Sequence, residues 1–441
     1  MKKYDNYKDS GIEWIGEIPE HWEVKKIKFL SKLQGGYAFK SNLFSDSGIP
    51  IIRIGNINNP IDWNDCKKVP ENLVIPNEFL LKKFDTLIAL SGATTGKTAF
   101  VSDEPEFSYI NQRVAKVGFT NKLLYFNISG DFVQKLILLT ADGSAQENIS
   151  NSQIENINIV LPSINKEQTA IANFLDRKTA EIDNLITKKE KLLKLYDEEK
   201  TAIINQAVTK GTPRKDGISS VSYKDSGVEW LGDIPEHWEV KKLKYLGEIV
   251  LGKMLTCSDK GNYHKRKYLR AANLEWLNVN IESVKEMWFS IDELKRLKLK
   301  ENDLLVSEGG EVGRTCIWKN ELDDCYIQNS VHKITLNENH NSFYFLYQFY
   351  VYGQKGLFES IVNRISIAHL TGEKIKTIDF IAPPTEEQIA IVHHIETETA
   401  RINSKITKTK KLIKLLKEYK TALISEVVTG KIDVREEIPN G

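Results

Sequence analysis

Twenty-four residues occur twice in this chain, and that repetition limits its plan more than any other feature. Residues 7–30, YKDSGIEWIGEIPEHWEVKKIKFL, return at 223–246 as YKDSGVEWLGDIPEHWEVKKLKYL, with five conservative differences. The likeness continues at lower identity. Ile52-Arg53-Ile54-Gly55-Asn56-Ile57 returns as Leu269-Arg270-Ala271-Ala272-Asn273-Leu274, and Asp85–Thr98 (DTLIALSGATTGKT) is echoed by Asp303–Thr315 (DLLVSEGGEVGRT). Tyr109-Ile110-Asn111-Gln112 parallels Tyr326-Ile327-Gln328-Asn329. The offset stays between 216 and 220, so the 441 residues are two copies of one unit. Such a period is far above the roughly 20–50 residues of solenoids and propellers.

Each copy closes on a long helix. Residues 166–209 hold no Pro or Gly and keep a helical period throughout. Alternating steps of four and three place Ile171, Leu175, Lys178, Ile182, Leu185, Lys189, Leu192, Tyr196, Glu199 and Ile203 on one seam. Phe174, Ile186, Leu193 and Ala207 widen it, the pattern of a helix packed lengthwise on another. At about 1.5 Å per residue it spans roughly 60 Å. Residues 386–429 repeat it, Glu167-Gln168 recurring as Glu387-Gln388.

Ahead of each helix, a Trp-rich opening leads into short β-prone runs such as Ile49–Ile54, Asp85–Leu90 and Arg113–Gly118, parted by turn residues. Helical pieces follow at Leu123–Leu139 and Phe343–Phe358, then a strand-like INIVLP or IDFIAP. The pairs Trp14/Trp22 and Trp230/Trp238 are expected to pack the start of each domain onto the helix bases, or to form a docking surface. Residues 210–222, rich in Gly, Pro and Ser, read as an exposed linker.

Composition narrows the classes. Hydrophobic residues make up 41% and charged residues 27%, as in an ordinary soluble protein. A net charge of +1 argues against a uniformly basic nucleic-acid binder, so any such footprint is local or shared with partners. The opening MKKYDNYKDS is not followed by an apolar run, and no stretch of 18 apolar residues exists, so neither a signal peptide nor a membrane span is expected. Cys66, Cys257, Cys316 and Cys325 show no CxxC spacing, which fits a reducing cytoplasm.

Several motifs suggest chemistry and fall short of it. Ser91–Thr98 is one residue from a phosphate-binding loop, but Ser91 stands where the first Gly belongs and the second copy has Arg314 in place of the lysine. A tight turn presenting polar groups to DNA and a purely structural hairpin remain the two readings. Glu23-Val24-Lys25 resembles part of a metal-dependent nuclease site, yet it recurs inside the repeat without an upstream acid at strand spacing, as solvated charge would. Neither a loop for holding a flipped adenine nor a Gly-rich cofactor loop after a strand is present, so the sequence offers no methyl-transfer site of its own.

Taken in order, GEIPEHWEVKK/GDIPEHWEVKK, the Arg-x-x-Asn-Ile/Leu element, the SGATTGKT and GGEVGRT loops and the Pro-x-x-x-Glu-Gln helix entries resemble the specificity subunit of a type I restriction–modification system. The first entry has a single Pro162 where the second has Pro383-Pro384. The resemblance covers nearly the whole chain. It implies an α+β fold in which two duplicated α/β target-recognition domains (1–163 and 223–383) are separated by two long antiparallel α-helices (164–210 and 384–430), with pseudo-twofold symmetry. A linker at 211–222 and a tail at 431–441 complete it. It further implies a non-catalytic subunit that recognises a bipartite site on double-stranded DNA. Two adenine-methyltransferase subunits and endonuclease/translocase subunits would be its partners, with no membrane involved. No cofactor is expected in this chain; S-adenosylmethionine, ATP and Mg²⁺ belong to the partners. The rival expectations are a self-contained restriction or methylation enzyme and a coiled-coil protein scaffold.

DNA reading needs cations for phosphates and Asn, Gln or Arg for base edges. In the first domain the candidates are Thr94, Thr95, Lys97, Gln112 and Arg113, with Ser144, Gln146 and Asn148. In the second they are the basic run Lys265, Arg266 and Lys267 beside His264, then Arg270, Arg314, Gln328, Asn329, Asn363 and Arg364.

Overall fold

The two copies fold by one rule: the opening segment pairs with the strand that feeds the long helix, and two small sheets fill the space between. A computed structural model describes residues 2–58, 60–103, 105, 107–118, 121–141, 148–212, 222–362 and 369–436. It divides into two compact units, one made of residues up to Glu190 together with Lys410 onward, the other of Lys191–Thr409.

In the first unit Trp22–Lys26 runs antiparallel to Asn158–Pro162. A four-stranded antiparallel sheet has the order Leu33–Gly35, Val114–Val117, Thr86–Ala89, Thr98–Phe100. A three-stranded sheet places Ile49–Ile52 between Lys67–Val69 and a parallel Tyr109–Ile110. Thr86–Ala89 and Val114–Val117 are buried at every residue, so they read as continuous runs rather than alternating ones. Lys116 is the one cation in them; it donates to the Leu80 carbonyl and lies 3.5 Å from Asp85. Burial pulls its ammonium below the usual lysine range.

The second unit repeats this topology. Glu239–Lys242 pairs with Asp379–Ala382. The antiparallel sheet runs Gly247–Leu251, Val331–Leu336, Leu304–Ser307, Thr315–Ile317, and His264–Leu269 lies between Lys285–Phe289 and a parallel Cys325–Ile327. The buried lysine recurs as Lys333, whose Nζ donates to the Arg296 and Lys298 carbonyls at 3.0 Å. The core is aromatic: Tyr344, Phe345, Phe349, Tyr352, Phe358 and Phe380 are all fully buried. Ile204 and Val208 of one long helix and Ile391 and Ile395 of the other join that core.

The long helices span Asn165–Lys210 and Thr385–Val428, within a residue of the expected ends. Within each unit they run antiparallel. Asp183 meets Lys420 at 2.6 Å and Glu190 meets Lys417 at 3.7 Å in the first unit. In the second, Glu199 meets Arg401 at 3.6 Å and Tyr196 lies under Lys405. The seam departs from the expectation. Thr179 and Ile204 are buried where Lys178 and Ile203 were expected, and of the expected neighbours Leu185 and Ile186 only Ile186 is buried, Leu185 being 40% exposed. A helix of about 3.6 residues per turn drifts roughly 20° per heptad against a strict seven-residue pattern, which moves the buried face by one residue.

The tryptophans also divide. Trp22 and Trp238 are fully buried and donate to Glu167 (3.1 Å) and Glu387 (2.9 Å) at the helix starts, as expected. Trp14 stacks on Phe132, and Trp230 meets Tyr352 edge-on at the border of the core that Ile204 and Val208 join. Residues 213–221 of the linker lie outside the described residues. Among the described residues no helix is long and apolar enough to cross a membrane.

Candidate nucleic-acid interface

In each copy one segment leaves the three-stranded sheet and enters the four-stranded one: Tyr109–Ile110 continues into Val114–Val117, and Cys325–Ile327 into Val331–Leu336. The turn between them carries Asn111-Gln112-Arg113 in the first copy and Gln328-Asn329-Ser330 in the second. Backbone bonds hold each turn from both sides. Asn111 N donates to Ile52 O (2.9 Å) and Gln112 N to Tyr37 O (2.9 Å); Gln328 N donates to Leu269 O (2.9 Å) and Asn329 N to Lys253 O (2.8 Å). A glycine lets the neighbouring strand cross so closely. A Cβ on Gly36 would lie 2.2 Å from Asn111 O, and one on Gly252 2.3 Å from Gln328 O. The sequence reading missed both glycines, although their matching places in the repeat were a usable signal.

The Arg-x-x-Asn element buttresses the same turn. Asn56 Oδ1 accepts from Arg53 N at 3.0 Å, and Asn273 Oδ1 from Arg270 N at 3.2 Å. Both asparagines are buried and hold the backbone, while of the arginines before them Arg53 is exposed and Arg270 half-buried. Arg53 is exposed and was not among the expected contacts; it occupies the position of Arg270 in the first copy.

The two copies then bring different side chains to the turn. In the first, Gln112, Arg113, Lys97 and Asn148 are exposed around it. Lys97 Nζ donates to Asn58 Oδ1 at 2.6 Å, and Asn148 bridges to Ser91. Thr95 is buried and donates its hydroxyl to Gly92 O at 2.8 Å, a role within the turn. In the second copy, Arg314 donates to Ala271 O (3.0 Å) and Glu311 (2.9 Å), tying its loop to the Arg270 turn. Ser330 Oγ accepts from Ala271 N and donates to Gln328 Oε1 at 2.9 Å. Ser144, Gln146, Asn363 and Arg364 lie outside the described residues.

The basic run beside Arg270 does not form one patch. Lys265, Arg266 and Lys267 lie in strand His264–Leu269, where successive side chains point to opposite faces. Lys265 and Lys267 share a face, Lys265 meeting Glu286 at 3.1 Å. Arg266 is turned to the other face and is half-buried. At about 3.3 Å per residue the run also lies roughly 10–17 Å behind Arg270 along the strand.

Unpartnered polar atoms gather at these turns. Among the described residues, buried atoms without a hydrogen-bond partner include Ser91 Oγ, Thr94 Oγ1, Arg270 Nε, Arg314 Nε and His332 Nδ1. Each is costly to bury alone, by about 1–3 kcal/mol, so their concentration in two loop clusters marks surfaces suited to a polar ligand. No group of three His, Cys, Asp or Glu side chains among the described residues is placed to hold a metal ion.

His332 is fully buried beneath the second cluster, its Nε2 2.8 Å from Leu370 O. Burial holds its imidazole below the ordinary value of 6.5. Its neutral form therefore contributes fully above about pH 6.5, and stability falls as pH drops below that value, where the unfolded chain binds the proton more readily. Melting temperatures measured between pH 7.5 and 5.5 should fall less steeply in His332→Gln than in the parent chain. Identical slopes would remove His332 as the cause.

The model of the type I restriction modification DNA specificity domain matches residues 19–195 and again 235–415. The type I restriction enzyme MjaVIII specificity subunit of Methanocaldococcus jannaschii is 30% identical over 205 residues, which cover 44% of this chain and 47% of that protein. The EcoKI specificity subunit of Escherichia coli K12 is 25% identical over 406 residues, covering 86% of this chain and 82% of the relative. A solved chain from work on complex assembly and conformational transition of the type I R-M system superposes with a TM-score of 0.65 at 14% identity. That match covers 94% of this chain and 99% of the solved one.

Proposed function

Because the chain belongs to the type I restriction–modification DNA specificity family, whose model matches twice and together covers most of it, we propose that each copy reads one half of a bipartite DNA site. The subunit itself makes and breaks no bonds; adenine methylation and cleavage fall to methyltransferase and endonuclease/translocase partners, which would carry S-adenosylmethionine, ATP and Mg²⁺. The observation that supports this reading is that two equivalent turns display different amides and cations, with buried orphaned polar atoms of Ser91, Thr94, Arg270 and Arg314 in the loops beside them. Gln and Asn suit adenine edges and Arg suits guanine, so unlike turns would select unlike half-sites. Single-molecule methylation mapping of host DNA with and without the chain tests it. A modified motif in two unlike parts should vanish with the chain, and an unchanged map would refute the reading.

The strand geometry divides the basic run. Replacing Lys265 and Lys267 together with Ala should weaken DNA binding and flatten its salt dependence by up to about one unit per lost phosphate contact. Arg266→Ala should leave that slope unchanged, because the guanidinium donates to Lys265 O and lies half-buried. A slope unchanged from the parent in both variants would show that neither face meets phosphate.

The repeated opening segment supports two matching docking sites. Phe29 (72% exposed) and Tyr245 (65% exposed) hold the same position in the two copies, each beneath a lysine, Lys28 at 5.4 Å and Lys244 at 4.8 Å. Mass measurement of the purified complex should find two methyltransferase subunits per chain, and Tyr245→Ala should lower occupancy to one. A stable one-to-one complex as the sole product of the parent chain would count against it.

A further inference from the structure

Beside the second turn stands a feature that the polar contacts leave unused. Leu251 (39% exposed), Met254 (75%) and Leu255 (51%) are apolar side chains turned to solvent within five residues. Exposed apolar residues are ordinary singly, but a cluster beside a polar reading surface calls for an occupant.

The loop that carries them is stiff. Lys253 O accepts from Asn329 N at 2.8 Å, and Lys253 Nζ donates to Trp288 O (2.9 Å) and Glu293 (2.6 Å) while lying over the Tyr263 and Phe289 rings. On the far side of the tip, Trp288 N donates to Thr256 O at 3.1 Å. Met254 and Leu255 therefore project from a segment pinned at both ends. Its only cation is already neutralised by Glu293. The matching segment of the first copy is built the other way: Tyr37 and Phe39 pack edge-to-face at 5.0 Å, and Phe39 is 6% exposed. Of these two matching segments, only the second turns large apolar side chains to solvent.

We propose that Met254 and Leu255 form a wedge that enters a base step of the half-site read by the second copy, partly unstacking it. The proposal rests on the chain being the DNA-reading subunit. Its basis is juxtaposition: the residue before the wedge is bonded to the turn bearing Gln328 and Asn329, so DNA seated on those amides meets the wedge next. Apolar side chains inserted between bases kink a duplex and open it to further contact, and a rigid loop loses little freedom on doing so. The wedge gives the second half-site a preference for an easily unstacked pyrimidine–purine step that no hydrogen bond dictates.

The test uses the full chain without partners, so that no methyltransferase flips a base, on duplexes carrying the mapped site. 2-Aminopurine replaces a purine at each step of both half-sites in turn. Binding should raise the fluorescence at one step of one half-site several-fold. The double variant Met254→Ser, Leu255→Ser should abolish that rise and weaken binding about tenfold at an unchanged salt slope, since no phosphate contact is lost. Both side chains are exposed, and an unchanged melting temperature confirms that the variant is folded. Binding without brightening at any step, or undiminished brightening with the variant, overturns the wedge and leaves DNA reading intact. No binding of the duplex by the parent chain, alone or with its methyltransferase partner added, overturns both.

Discussion

Replacing Glu167 with Ala should lower the melting temperature of the first unit by roughly 10 °C, while Glu387→Ala in the second costs only a few degrees. The difference lies in what each carboxylate holds. Glu167 is 6% exposed and accepts from Tyr4 OH (3.0 Å), Trp22 Nε1 (3.1 Å) and His21 Nε2 (2.8 Å). Burial, and then the carboxylate itself, push the Tyr4 phenol well above its usual range, so it remains a donor throughout. Removing the acceptor strands these donors where water has little access, at about 1–3 kcal/mol for each buried one, or some 3–5 kcal/mol in all. A unit of this size loses about 2–4 °C per kcal/mol. Glu387 has two partners, Trp238 and His237, and its side chain is 42% exposed, so water replaces much of what is lost. Glu167→Gln, which keeps one acceptor oxygen, should recover about half of the loss. Scanning calorimetry of the three variants decides it, and equal shifts for the two alanine variants would discard the argument.

Gly252→Ala should abolish reading of one half-site and spare the other. The added methyl would lie 2.3 Å from the Gln328 carbonyl oxygen and 2.4 Å from its carbon, both backbone atoms with no rotamer to yield. The crossing strand must move, and with it the bond from Asn329 N to Lys253 O. Each misread base pair costs about 1–3 kcal/mol, so displacing two amides together should lower methylation of that half-site a hundredfold or more. Gly36→Ala should do the same to the opposite half-site through Asn111. Gly55→Ala is the control, because nothing lies within 4 Å of its Cβ. The readout is methylation of each half-site scored separately; a uniform loss at both would point to general instability instead.

The helices were legible because burial along a lengthwise contact leaves a period of its own, and Asn165–Lys210 differs from the expected 166–209 by one residue at each end. Their exact buried face was not, since a seven-residue template and a real helix separate by a fraction of a turn per heptad. The strands Thr86–Ala89 and Val114–Val117 were visible within the short β-prone runs Asp85–Leu90 and Arg113–Gly118, parted by turn residues. The candidate interface was harder to see. Residue type alone pointed to Gln112, Arg113, Gln328 and Asn329, which the fold brings to equivalent turns. It also joined Lys265, Arg266 and Lys267 into one patch, which strand alternation divides between two faces. Arg53 was missed because its neighbours are apolar, and its meaning appears only when Asn56 and Asn273 are seen to hold the same turn. Gly36 and Gly252 act through the space they leave empty, which composition does not reveal.

The first unit is assembled from both ends of the chain, and this has a consequence for the order in which the protein can be finished. Asp433 N donates to Lys2 O at 2.9 Å, Arg435 lies over the Tyr4 ring, and Leu423, Val427 and Val428 are buried in that unit. The second unit, by contrast, is continuous from Lys191 to Thr409. During synthesis the second unit has every residue it needs before the last helix is complete. The first begins folding at once yet waits, with part of its apolar surface uncovered, for residues translated after the second unit. Domains fold as their sequence emerges, at about 5–20 residues per second, so this interval lasts roughly ten seconds to a minute. The half of the molecule made first is therefore the half that matures last, and its exposure to misassembly is set by the speed of the ribosome.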